Sequence, residues 1–294
     1  MVIINYKGGQ LGNRMLSFAH FMANSLEYGY ALYNPEFNEY VPFFEGTSRN
    51  HFGTDSIMVT RFGNRRADRM LSLLIRAWTD ITHPLTQRNG LYSLYRIFNT
   101  HDRKELVFDL NDADFIKDAR EKNTIVQGWL FRDFRHIEKY RTEICACFTP
   151  VLSFRNQVEA VMTRARAAGD LLIGVHIRRG DYARFANGQY CFTDEVYADK
   201  LVQIAARYSA EGKKCVFILC SNDSVDLSKF PSHLPLFFEK RHYITDLYVL
   251  AACDAILGPP STFSIWASYY GQVPLMQMET ADYRPEIGAY VSRC

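Results

Sequence analysis

"IGVHIRRGDY", residues 173–182, places two adjacent arginines and an aspartate at the end of a run of β-branched residues. Ile173, Val175 and Ile177 share one face of an extended segment, and His176 and Arg178 share the other. Paired cations repel, so a fold that brings them together has an anion to hold or a carboxylate to neutralise them. Consecutive side chains diverge, so the two arginines have different jobs. One can reach the crevice beyond the carboxyl end of the strand, where doubly wound sheets bind ligands. The other can pair with Asp181 and brace the loop. A guanidinium fork meets a phosphate through two hydrogen bonds and stays charged at any useful pH. A buried Arg–Asp bridge without a ligand is the alternative reading of the same residues.

Outward from this strand the chain alternates. After "LLIGVHI" come a helix, "DEVYADKLVQIAARYSA", a strand, "KCVFILCS", a helix and strand within "ITDLYVLAACDAILG", a helix, "STFSIWASYYG", and a strand, "VPLMQM". Strands alternating with helices build a parallel α/β sheet. The start of the chain repeats the logic. Val2–Tyr6 reads as a strand, and Gly8, Gly9 and Gly12 as a flexible turn. From Asn13, Met15, Leu16, Phe18, Ala19, Met22, Ala23 and Leu26 recur with a helical period as far as Gly29. "YALYN" is a second strand. "NTIVQGWLFRDFRHIEKYRTEI", residues 123–144, reads as strand, Gly128 turn and helix. "SFRNQVEAVMTRARAAGD", residues 153–170, is a helix at the boundary. Two Rossmann-like domains follow, residues 1–155 and residues 156–294. Residues 35–100 are less legible. There Arg61, Arg65, Arg66, Arg69 and Arg76 surround "MLSLLIRAW", which fits an amphipathic helix with a basic face. That face is either solvated or a contact for an acceptor or a membrane surface.

The composition of the 294 residues is that of a globular protein, 48% hydrophobic and 22% charged. Net charge is 34 − 32 = +2, so no global field selects a polyanion and a nucleic-acid partner is not implied. The longest apolar run, "LYVLAACDAILG" (247–258), contains Asp254 and is too short to cross a bilayer. The start lacks the basic and long apolar stretch of a signal peptide. Seven irregularly spaced cysteines read as reduced thiols, with Cys215, Cys220 and Cys253 inside apolar runs. A cytoplasmic protein is expected.

Three further stretches bear on chemistry. "GPPSTFSIWA" (258–267) follows a strand and precedes a helix. Pro259 and Pro260 stiffen the entry, and Ser261 or Thr262 would cap it. A helix N-terminus offers free N–H groups to a phosphate. An ordinary capped helix is the plain reading, and it weakens beside the arginines at another strand end of the same sheet. "GGQLGNRM" (8–15) fails the dinucleotide and P-loop spacings, although glycine before a helix allows close approach of a ligand. Asp112-x-Asp114 in "NDADF" resembles a metal-dependent sugar-nucleotide signature, but it looks like a helix start. No other cluster has metal-ligand spacing, so no metal is expected.

Together these pieces resemble fucosyltransferases that use GDP-fucose, above all the α1,2-fucosyltransferases of glycosyltransferase family 11. "GGQLGNRM" is similar to that family's opening G-G-L-G-N-Q-M, and "VHIRRGDY" to its H-x-R-R-x-D-Y motif. "TIVQGWLFRDFRHI", "CSND" and "STFSIWASYYG" resemble later elements in the expected order. Gly258-Pro259-Pro260, Ile265 and Arg14 depart from the pattern. The resemblance implies a GT-B fold, two facing Rossmann-like domains with a cleft, the donor on the second domain and the acceptor on the first. It implies inverting transfer of L-fucose from GDP-β-L-fucose to a glycan hydroxyl, galactose O2 in an α1,2 linkage, with no cofactor or metal. By motif, Arg178 would hold the β-phosphate and Arg179 the loop. His176 and Asp246 would meet the guanine, and Ser261, Thr262 and Ser264 the diphosphate or fucose. Asn13, with Gly9 and Gly12, would approach the reacting sugar. Asp181 is a loop brace or the general base. Another donor such as GDP-mannose, or a nucleotide- or glycan-binding protein without catalysis, are the other readings. Residues 61–76 leave a peripheral membrane contact open.

Overall fold

In the computed structural model, residues 1–48, 56–86, 95–99, 107–292 and 294 are described. The chain divides into two compact units, Met1–Val151 and Leu152–Cys294. Each holds its own five-stranded parallel sheet, so the expected α/β class with parallel sheets is what the structure shows.

In the first unit β1 (Val2–Ile4) leads into α1 (Leu11–Tyr28), then β2 (Leu32–Tyr33), α2 (Glu45–Ser48), β3 (Ile57–Met58), α3 (Arg65–Thr86) and β4 (Tyr95–Asn99). β5 (Phe108–Asp109), α4 (Ala113–Glu121), β6 (Asn123–Gln127), β7 (Phe131–Arg132) and α5 (Arg141–Cys147) complete it. The sheet order is β3-β2-β1-β6-β4, and Val2 lies between Leu32 and Thr124. α1 is long because its apolar residues recur at helical spacing, and it ends at Gly29, whose φ of 70° is the left-handed cap glycine supplies without strain. Phe18 of α1 packs on Phe37 and Phe148, a nest of aromatic rings that seals this face of the unit.

Three expectations change here. α1 begins at Leu11, two residues before the expected start at Asn13, so Gly12 belongs to its first turn and not to the loop before it. The helix expected straight after Gly128 starts only at Arg141, because Phe131 and Arg132 pair with Phe108 and Asp109 in a small second sheet. The basic helix exists as α3, but its inward face is polar. Asp68 and Thr79 are fully buried, whereas Leu74 and Trp78 face outward. The reason lies in what α3 packs against: Ser72 Oγ donates to Glu36 Oε1 at 2.6 Å, and Asn5 Nδ2 donates to Thr79 Oγ1 at 3.4 Å.

The second unit runs α6 (Leu152–Arg166), β8 (Leu171–Ile177), α7 (Asp194–Ser209), β9 (Cys215–Ser221), β10 (Leu236–Phe237), α8 (Tyr243–Ala252), β11 (Ala255–Gly258), α9 (Thr262–Gly271) and β12 (Leu275–Gln277). Its order is β10-β9-β8-β11-β12, with β8 at the centre. Ile173 pairs with Phe217 on one side and Ala255 on the other. Helices cover both faces, so every residue of β8 after Leu171 is buried. Ile173, Val175 and Ile177 join Leu201, Phe217, Leu219 and Leu257 in one core cluster. No helix among the described residues is long and apolar enough to cross a membrane.

Candidate functional site

Arg178 is the first residue beyond β8, where the chain leaves the sheet through a 3-10 turn, Gly180–Ala183. Gly180 opens that turn with φ 66°, a conformation that favours glycine. The turn folds Asp181 back towards Arg178, whose Nη2 donates to Asp181 Oδ2 at 2.8 Å. The guanidinium carbon of Arg178 sits over the Tyr182 ring, 5.3 Å from its centre. Tyr182 Oη in turn donates to Pro260 O at 2.6 Å. The Arg178 loop is thereby tied to the residue just before the cap of α9.

The two arginines divide their work differently from the expected pairing with Asp181. Arg178 takes Asp181, and Arg179 swings away to pair with Asp194 at the start of α7 and to donate to Ser224 O at 2.6 Å. Asn222, at the end of β9, clasps the same backbone: its Oδ1 accepts from Arg179 N at 2.9 Å, and its Nδ2 donates to Arg179 O at 3.1 Å. The divergence follows from strand geometry, because successive side chains leave a strand on opposite sides. The pair with Asp181 leaves Arg178 at the surface end of the sheet: its side chain is 14% exposed and that of Asp181 53%.

Ser261 caps α9 as expected, and its side chain accepts from Phe263 N at 3.3 Å. Ile265 N reaches Ser261 O, so the N–H groups of Thr262 and Ser264 have no acceptor within the helix. Ser264 is fully buried and donates to Ser261 O at 3.2 Å. That spends its proton, so its oxygen accepts from the His176 Nδ1–H at 3.3 Å. His176 also lies against the Phe263 ring, 5.1 Å between centres. Burial, helped by Arg178, holds the imidazole down at a pKa of about 3, so it is neutral. Gly258 lets β11 run this close: a Cβ there would stand 2.9 Å from His176 Cβ.

Asp246 lies in the first turn of α8 and is buried. Its Oδ1 accepts from Arg241 Nε at 2.7 Å, and Arg241 Nη2 donates to Leu219 O at 2.8 Å. Burial pushes the Asp246 carboxyl up, and the Arg241 charge opposes that rise. Arg241 escaped the sequence reading. A lone arginine in "EKRHY" resembles a solvated face, and only its five-residue spacing from Asp246 could have signalled the pair.

The structure thus brings Arg178, Asp181, His176, Ser261, Thr262 and Ser264 together at the carboxyl ends of β8 and β11. Gly9, Gly12 and Asn13 lie in the first unit, at the carboxyl end of β1. Gly9 has φ 61°, and a Cβ there would strike Asn13 Nδ2 at 2.1 Å. Arg14, the departure from the family pattern, is buried beside it. Its Nη2 donates to Gly9 O at 3.1 Å and its Nη1 pairs with Glu39 at 2.8 Å. The Asp112-x-Asp114 stretch starts a helix: Asp112 Oδ1 accepts from Phe115 N at 2.9 Å and caps α4. Among the described residues no group of three or more His, Cys, Asp or Glu side chains could hold a metal ion.

No curated protein matches the chain by sequence. Among solved structures it is similar to the fucosyltransferase NodZ from Bradyrhizobium, with 18% identity, 94% of each chain covered and a TM-score of 0.59. It is also similar to a mutant of Arabidopsis thaliana FUT1 in complex with GDP, with 15% identity, 97% of this chain and 70% of that one covered, and a TM-score of 0.57. POFUT1 in complex with GDP-fucose gives 14% identity, 97% and 96% coverage, and a TM-score of 0.53. At such identities the likeness is one of fold. Residues 134–276, nearly half of the chain and all of the Arg178 site, match the model of glycosyl transferase family 11, in a fold shared with solved fucosyltransferases.

Proposed function

We propose that the protein is an inverting, GDP-fucose-dependent fucosyltransferase that moves L-fucose from GDP-β-L-fucose to a hydroxyl of a glycan acceptor. The observation that carries this reading is the Arg178–Tyr182–Pro260 connection, which sets a guanidinium beside the open N-terminus of α9. The family match over residues 134–276 and the fold likeness to fucosyltransferases support it.

The chemistry follows from charge. As the glycosidic bond opens, negative charge grows on the β-phosphate and the sugar becomes oxocarbenium-like. Arg178 and the N–H groups of Thr262 and Ser264 meet that charge without rearranging. They supply the positive field that lets the reaction run without a metal or other cofactor. Asp181 holds the fork of Arg178 towards the site. Ser264 fixes the neutral His176 beside the nucleotide, and Arg241 orients Asp246 towards the guanine. The family resemblance assigns Gly9, Gly12 and Asn13 to the reacting sugar. Galactose O2, giving an α1,2 linkage, is the acceptor position the family resemblance favours, whereas NodZ is an α-1,6-fucosyltransferase. The same proposal places the protein in the cytoplasm, with the basic residues 61–76 in peripheral contact with a membrane surface.

Donor hydrolysis without acceptor tests the reading directly. GDP should be released from GDP-fucose and not from GDP-mannose. Arg178→Ala should lower kcat by about a hundred- to thousandfold, the usual cost of one preorganised donor, with an unchanged circular dichroism melt. Normal turnover by that variant, or equal release from both donors, overturns the assignment.

A further inference from the structure

An ordinary surface helix turns its apolar stripe to the core and its charges to water. α3 does the reverse. Its inward side chains are Asp68, Ser72, Thr79 and Thr82, all buried. They are held by polar bonds: Asp68 Oδ1 accepts from Arg61 N at 2.7 Å, and Arg76 Nη2 and Ser72 Oγ share Glu36 Oε1. Its outward side chains are Met70, Leu73, Leu74, Trp78 and Ile81, 54–68% exposed. The spacing 70, 73, 74, 78, 81 makes them one stripe along a single face, about 16 Å long at 1.5 Å per residue. Phe62, also exposed, precedes the helix.

The charges beside the stripe select its occupant. Arg61, Arg66 and Arg69 are exposed. Of the two acids between residues 61 and 86, Asp68 is buried and hydrogen-bonded, which leaves Asp80 as the exposed one. A second copy of this face would cover the apolar side chains but bring no anions to the arginines. An anionic leaflet offers both in one plane, acyl chains for Met70, Leu73, Leu74 and Ile81 and phosphates for the guanidiniums. Trp78 suits the boundary between them.

We propose that the outward face of α3 docks on an anionic lipid surface, with the helix lying in the membrane plane. This deepens the peripheral contact proposed above and rests on that part of the reading alone, since it is independent of the donor chemistry.

Co-sedimentation of the full chain with vesicles is the test. Binding to phosphatidylcholine–phosphatidylglycerol vesicles is expected, weakened by added salt, with little binding to phosphatidylcholine alone. Leu74→Glu with Trp78→Glu should abolish it. Arg66→Gln with Arg69→Gln should weaken it about 30-fold, at about 1 kcal/mol per arginine. Both pairs are exposed, so melts should match the wild type, and GDP release without vesicles should be unchanged. Wild type that stays in the supernatant overturns the proposal, as does either double variant binding like wild type. So does a dimer, seen by light scattering, that Leu74→Glu with Trp78→Glu splits in a chain that ignores vesicles. Lipid binding without GDP release would sink the transferase reading and leave this one standing.

Discussion

Arg178 carries its charge on a planar fork laid over Tyr182 and tied to Asp181. Those contacts decide how its neighbours respond to substitution. The Asp181 carboxylate is largely exposed, and a pair of that kind is worth under about 1 kcal/mol. Asp181→Asn should therefore cost less than about fivefold in kcat if the residue only braces the fork. A loss of a hundredfold or more, measured with acceptor at saturation, would make it the general base instead. His176 makes a separate prediction through its protonation. Its folded pKa is about 3, below the ordinary histidine value near 6.5. The unfolded chain therefore binds the proton first, and stability is lost as pH falls from about 6.5 towards 3. At pH 5 the loss from this one group is about 2 kcal/mol relative to pH 7.5. Urea unfolding of wild type and His176→Asn at both pH values should show the variant losing less by about that amount. His20, held near 3 in the first unit by burial and Arg132, adds a second loss of the same sign in both proteins.

At the level of elements, the βα punctuation of the second unit was legible because each piece has one dominant cause. β8 is a continuous apolar run, α7 and α9 carry helical periodicity, and Ser261 is a cap by residue type as well as by structure. What stayed hidden depends on partners distant in sequence. Arg179 finds Asp194 fifteen positions on, and Asn222 finds the Arg179 backbone from the next strand. α3 was legible as amphipathic, yet its orientation was not, because the pattern does not say that Glu36 and Asn5 offer it a polar bed. The Asn222 clasp yields an element-scale prediction. Asn222→Ala removes two hydrogen bonds at an exposed loop, about 1 kcal/mol each at most. The melting temperature should fall by a few degrees. The loop that presents Arg178 should loosen, so kcat falls while acceptor KM holds. A melt that drops with kcat unchanged would reduce the clasp to a structural tie.

For the whole molecule, two cores in one chain put the seven thiols to use as packing. None of the seven is joined in a disulfide, and Cys147, Cys215, Cys220, Cys253 and Cys294 are buried, whereas Cys145 and Cys191 are partly open. Burial pushes the Cys147 thiol up to about 12 and raises those of Cys145, Cys215, Cys220 and Cys253 as well. A raised thiol pKa leaves little thiolate at neutral pH, and the thiolate is the reactive form. An aromatic disulfide reagent should therefore modify at most Cys145 and Cys191 in the native protein. All seven should react once guanidinium exposes both cores. Because no bridge has to be reduced, dithiothreitol should leave the melting temperature where it is. A count below seven in denaturant, or a melt lowered by reductant, would show that a pair of these cysteines is joined and that the cores rely on a covalent staple rather than on the packing of Phe18 and Phe148 in one unit and of Ile173 and Phe217 in the other.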